Sequence, residues 1–229
     1  MVAERLGSME QSLPPGVVAH MGPVTSIMGE IMQIALPIDA ERISSMQVRE
    51  YADWVLRPRL LAVPGVAQVI PIGGEVRQFQ VQPDSSRMAQ LGISHGELRD
   101  ALRGYASNTS GGFLELNGRE YLIRHLGQTS SLETLAGLPL GLRNGQPILL
   151  GQIAEVTFAA APKRGDAGFA GQQAVILGIQ KQPDADTLAL TRALESALDD
   201  MRRSLPEGMQ APQVTFRQAN FIEASISTL

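Results

Sequence analysis

Cysteine is absent from the 229-residue sequence, which removes disulfides, thiolate nucleophiles and thiolate metal sites together. Aromatic residues are scarce at 4%, so a chain that is 44% hydrophobic must build its core from Leu, Ile, Val and Ala. Basic residues do not dominate: 19 Lys and Arg stand against 23 Asp and Glu, a net charge of −4 at pH 7, and they are spread along the chain. Phosphate binding needs a concentrated cationic surface, so no nucleic-acid partner is expected. No window approaches the roughly 18 to 20 consecutive apolar residues that cross a bilayer, and the N-terminus has neither the basic nor the apolar stretch of a signal peptide. As written, the chain is expected to be water-soluble, and its length suits one large domain or two small ones.

The signatures of catalysis are missing as well. His20, His95 and His125 are the only histidines, none in His-x-x-x-His or His-Glu-x-x-His spacing, so a zinc hydrolase is disfavoured. No Gly-x-x-x-x-Gly-Lys-Ser/Thr run exists, and Gly73-Gly74 and Gly111-Gly112 stand in hairpin or linker contexts where a phosphate loop would precede a helix. Asp199-Asp200 beside Arg202-Arg203 reads as a solvated helix end, and Ser110 and the other serines lack the Gly-x-Ser-x-Gly elbow. Thioethers can hold Cu(I) or Ag(I), and Met28 and Met32 share a strand face with Met21 upstream; flexible core filling is the reading preferred for them. The chain is therefore read as no enzyme, with no catalytic, cofactor-binding or metal residue assigned.

What is present is alternating strand and helix. Residues 28–36 suit a strand, and Ser44 with Gln47 suits a capping box opening a helix to about Leu61. Val48, Tyr51, Ala52, Val55 and either Leu56 or Arg59 are placed toward its buried side, and Pro58 is expected to bend it or break its ladder. Val66–Ile72 and Val76–Gln82 are expected to pair as a hairpin across Gly73-Gly74. A short helix over Ser85–Leu91 ends at Gly92, and Ser94 with Glu97 caps the next, whose stripe is Leu98, Ala101, Leu102 and Tyr105. Asn117-Gly118 and Asn144-Gly145 then mark hairpins over Phe113–Leu126 and Leu138–Val156, with a short helix from Ser130 or Ser131 between them. Strand Gln173–Gln180, a helix from Thr187 to about Arg203 with Leu190, Leu194, Leu198 and Met201 on one face, and strand Gln213–Phe216 follow. The helical rhythm of Ala219–Leu229 stops without a cap, and the phrase at Leu13-Pro14 returns at Leu205-Pro206, so both ends read as cut. Pairing the split halves gives an α+β, ferredoxin-like split βαβ body, with helices on one face of an antiparallel sheet and a strand-rich insertion.

Five phrases carry a resemblance. Trp54 with Leu61-Ala62-Val63-Pro64-Gly65-Val66-Ala67-Gln68-Val69, then Ile72–Val81, Leu91-Gly92-Ile93-Ser94, Ile148–Val156 and Lys181–Thr187 together resemble the periplasmic porter region of the resistance-nodulation-division efflux transporters, in the heavy-metal cation branch. The resemblance implies a tail of the first porter subdomain at 1–25, a second porter subdomain at 26–106 and 168–218, an inserted docking or funnel subdomain at 107–167, and a linker helix toward a transmembrane segment at 219–229. It further implies the periplasmic portion of a bacterial inner-membrane, proton-driven pump, homotrimeric in full, whose partners are the rest of the same polypeptide, a periplasmic adaptor and an outer-membrane channel. The proton-carrying and cation-holding residues of the family would lie outside this chain, which would supply a wall of the substrate path and a docking surface. Where the family often has Asn, this chain has Asp186. The competing readings are a free-standing periplasmic binding or adaptor module, and efflux of organic solutes in place of metal ions.

Overall fold

In the computed structural model, residues 29–106, 110–116, 119–124, 131–143, 145–163 and 165–227 are described, with backbone alone for 106, 110–116 and 119–124. Two compact units result: the chain up to Val76 together with Pro162 onward, and Arg77–Ala161.

The first unit is built on a sheet of strands β1 (Glu30–Pro37), β2 (Val66–Ile72), β10 (Gln172–Lys181) and β11 (Gln213–Arg217) in the order β11-β1-β10-β2, antiparallel throughout. A two-residue strand, β9 (Gly168–Phe169), adds to β10. Taken in chain order the four strands lie 4-1-3-2, so each strand-helix-strand unit is split by a strand of the other, the ferredoxin-like arrangement. Val175, Leu177 and Ile179 of β10, Ile34 and Leu36 of β1, and Val66 and Val69 of β2 meet the helices in one aliphatic core. Leu190, Leu194, Leu198 and Met201 line the inner side of α7 (Thr187–Arg202), as the helical spacing predicts.

The helix between β1 and β2 starts where expected. Ser44 accepts from the Gln47 amide at 3.2 Å, and Gln47 Oε1 accepts from the Ser44 amide at 3.1 Å. It is not uniformly α: α1 (Ser45–Tyr51) widens into a π turn (Ala52–Leu56) before α2 (Arg57–Leu61). Pro58 supplies the reason. With no N–H there, the Trp54 carbonyl loses its i+4 donor, and the wider turn, with Arg57 N–H donating to the Ala52 carbonyl, absorbs the mismatch without ending the helix. The fully buried stripe is Val48, Ala52, Leu56 and Leu60; Tyr51 and Val55 are half-buried and Arg59 is exposed.

The expected hairpin across Gly73-Gly74 does not form. β2 pairs with β10, while β3 (Arg77–Pro83) leaves for the second unit and pairs over its whole length with β8 (Ala154–Ala160). Both glycines have positive φ, 81° and 68°, but they serve close backbone approach: a Cβ at Gly74 would sit 2.7 Å from Val175 Cγ2. The sequence-based division at 106/107 and 167/168 therefore differs from the compact units, which divide at 76/77 and 161/162. The helices over 85–106 belong with the insertion, because their apolar stripes pack there.

The second unit has its own core of Met88, Ile93, Leu98, Leu135, Ile148, Leu150, Ile153 and Ala154. Asp84 caps α3 (Ser85–Leu91), Gly92 closes it in the left-handed conformation at φ 65°, and Ser94 with Glu97 forms the expected box at α4 (His95–Ala106). Strands β4 (Ser110–Leu116) and β5 (Arg119–Arg124) pair; the Asn117-Gly118 turn itself is outside the described residues. Helix α5 (Leu132–Ala136) follows Ser131. β6 (Pro139–Arg143) and β7 (Gln146–Leu149) pair, in a hairpin shorter than the spacing suggests; Asn144 of the expected turn is outside the described residues. Leu150 and Ile153 turn inward in a single helical turn, α6 (Leu150–Ile153), and β8 departs to β3.

Candidate functional surfaces

Of the residues weighed for chemistry, His95 is exposed in the first turn of α4, and Met32 is fully buried in the first core, as core filling requires. His20, His125, Met21 and Met28 lie outside the described residues, as do the 1–25 segment and the Leu13-Pro14 phrase. Asp199 and Asp200 pair with Arg202 and Arg203 at the exposed end of α7. Among the described residues no cluster of three or more His, Asp or Glu is arranged to hold a metal ion.

The sheet face away from the helices follows from strand alternation. Ala35, Ile176 and Ile72 form one row across β1, β10 and β2, and Gln33, Gly178 and Ile70 the next. Gln33 Nε2 donates to Glu30 Oε1 at 2.7 Å near the start of β1. This face mixes amide, carboxylate and aliphatic groups, which suits contact with solvent or another surface more than a closed core.

Beside the edge strand β2, a shallow groove of about 430 Å³ is bounded by Arg49, Asp53, Trp54, Arg57, Pro71 and Val76 among others. Trp54 projects with 77% of its surface exposed. Arg49 ties the groove together, pairing with Asp53 Oδ2 at 2.8 Å and donating to the Gly73 carbonyl at 2.7 Å. Arg57 donates to the Val69 carbonyl at 3.1 Å, occupying an acceptor on the free edge, and Pro71 has no amide to offer there.

A second charged centre fixes the last helix. Arg217, ending β11, donates to Glu195 of α7 at 2.8 Å and to Glu223 and Asn220 of α8 (Ala219–Ser227), each at 2.7 Å. The hydrogen bond from Arg217 holds the Glu223 carboxyl below the ordinary carboxylate range, and Glu223 and Glu195 in turn raise the already basic guanidinium. Arg217, Asn220 and Glu223 lie three and six residues apart in a spacing that names no motif, and only the fold brings Glu195 to them. The exposure of Trp54 is equally hidden in the sequence, where the residue stands out only by the phrase it belongs to.

A family model described as AcrB/AcrD/AcrF matches residues 1–229, the whole chain. The chain belongs to the AcrB/AcrD/AcrF family. Within that family, the cobalt-zinc-cadmium resistance protein CzcA of Cupriavidus metallidurans is 29% identical over 236 residues, and the cation efflux system protein CusA of Escherichia coli is 30% identical over 230. Each alignment takes in 100% of this chain and 22% of the relative, so the chain spans about a fifth of their length. The crystal structure of a heavy metal efflux pump superposes with a TM-score of 0.75 at 21% identity, covering 99% of this chain and 22% of that one, which establishes a common fold. The resemblance to the heavy-metal branch, drawn from the ordered phrases between Trp54 and Thr187, thus agrees with the AcrB/AcrD/AcrF relatives found. Among the described residues no helix is long and apolar enough to cross a membrane.

Proposed function

We propose that this chain is a periplasmic part of a proton-driven pump that expels heavy-metal cations, its first unit forming a wall of the substrate path and its second unit a docking surface toward the outer-membrane channel and periplasmic adaptor. The supporting observation is that relatives named for cobalt-zinc-cadmium resistance and cation efflux align along the entire chain. On this reading residues 26–76 with 162–218 make the second porter subdomain, 77–161 the docking subdomain, 1–25 the tail of the first porter subdomain, and 219 onward a linker toward the membrane. The working assembly is a homotrimer. Within it the chain undergoes no covalent chemistry; it changes shape by subdomain hinging as each protomer cycles.

The test is tolerance. The complete reading frame, expressed in a host lacking its own cation exporters, should raise growth in Co(II), Zn(II), Cd(II), Cu(I) or Ag(I) and lower cell-associated metal, with the gain abolished by a protonophore. Tolerance to organic dyes and detergents with no change in any metal would replace the metal reading with solute efflux. A reading frame that ends at Leu229 and confers neither would favour the free-standing module.

A further inference from the structure

Helix α4 carries His95, Arg99 and Arg103 at intervals of four, one stripe along one side of a twelve-residue helix. Beside the stripe runs an apolar floor, Leu98 and Leu102 from the same helix with Val81 and Pro83 from β3, and together these groups enclose an open cleft of about 430 Å³. Other cations of this unit are engaged: Arg143, ending β6, reaches Glu97 and the Gly92 carbonyl, and Arg87 reaches Asp84. Arg99 and Arg103 have no ion pair or hydrogen bond among the described residues, and Asp100, three residues before Arg103, is not drawn to it.

Three features of this face define what fits it. The guanidiniums of Arg99 and Arg103 repel metal ions, so this face is no cation path. Its hydrogen-bond donors, His95, Arg99 and Arg103, are strung along about 12 Å of helix rise, which suits successive carboxylates better than one phosphate. The unit as a whole is balanced, with seven arginines against seven carboxylates between Arg77 and Ala161, so it lacks the broad excess that a nucleic acid or lipid surface requires. We propose that the α4 face binds an acidic amphipathic segment of a partner protein, with carboxylates meeting His95, Arg99 and Arg103 and apolar side chains entering the cleft over Leu98 and Leu102. The segment supplies both the charge and the apolar surface that this face leaves unpartnered among the described residues. The inference names the partner chemistry of the docking surface proposed above and rests on that reading for its place in the pump.

Its test reads binding without transport. The whole chain is titrated with a fluorescent synthetic helical peptide bearing Glu at every fourth position and Leu between, and with Gln and Lys versions of it, following anisotropy. The Glu peptide should bind saturably and more weakly as salt rises. R99E/R103E, and separately R99Q/R103Q, should weaken it about tenfold or more, in line with the loss of two charge pairs. The Lys peptide should bind R99E/R103E better than the parent chain. No binding of the Glu peptide, equal affinity for the Gln version, or unchanged affinity in both double variants overturns the proposal. So does binding of anionic lipid vesicles, lost in R99E/R103E, by a chain that ignores the peptide. A null here leaves the metal-tolerance result standing, and a failed tolerance assay leaves the peptide result standing.

Discussion

A side chain at residue 73 would collide with the fold: its Cβ would lie 2.6 Å from the Ala174 carbonyl oxygen and 2.7 Å from the Ala167 Cβ, at a φ of 81°. Gly145 has nearly the same φ, 79°, but nothing within 4 Å of the added atom. The two positions separate backbone strain from crowding. Gly145→Ala should cost about 1–2 kcal/mol from the left-handed conformation alone, and Gly73→Ala about 1–3 kcal/mol more, because backbone cannot swing aside as a flexible side chain can. Urea unfolding midpoints of the two variants check this, and equal losses would contradict it. Arg217 makes a different prediction. Lys keeps its charge but not the planar fork that holds Glu195, Asn220 and Glu223 together, so Arg217→Lys should speed amide exchange across Ala219–Ser227 and leave the core of α7 slow. Acid should act likewise on the parent protein. Glu223 has a lowered folded value, so its contribution is complete above the ordinary carboxylate range and is lost as pH falls through that lower value.

Helix ends were the most legible elements, because a cap is a local contract between residues three apart. Ser44 with Gln47 and Ser94 with Glu97 form the boxes their spacing announces. Asp186 shows how a departure from the family pattern becomes physical. Its carboxylate accepts from the Ala189 amide at 2.7 Å at the start of α7, a role that Asn fills about as well. Asp186→Asn should therefore stay within a few tenths of a kcal/mol of the parent, whereas Asp186→Ala should lose about 1 kcal/mol, both read from thermal or urea unfolding. Strand partners were less legible. Gly73-Gly74 has the conformational freedom of a hairpin turn, yet nothing local reveals that β10, a hundred residues on, outcompetes β3 for β2. Pro58 was visible and its effect was not, since a π turn is a cooperative adjustment of the five residues before it. The charged hub at Arg217 and the exposed groove at Trp54 depend on the fold being closed, so the candidate surfaces were legible only as far as the family phrases carried them.

The boundary between the units shows why the insertion is larger than its loops suggest. The chain leaves the first unit after Val76 and returns at Pro162, and the strands at that crossing, β3 and β8, pair from Arg77 with Ala160 to Pro83 with Ala154. Paired strands hold entry and exit within about 5 Å of each other, so removing everything between them leaves two ends that a very short link can join. Among the described residues, the core of the first unit draws only on residues before 76 and after 162, and the core of the second only on residues between them. Among those residues neither core borrows a buried side chain from the other. Joining Val76 to Pro162 through a Gly-Ser link should therefore yield a folded ferredoxin-like unit with cooperative unfolding, and residues 77–161 should fold separately as well. Dispersed amide spectra with a single sharp thermal transition would bear this out for each piece. If the shortened first unit instead lost the slow-exchanging amides of β10, the insertion would have to be counted as part of the sheet's stability.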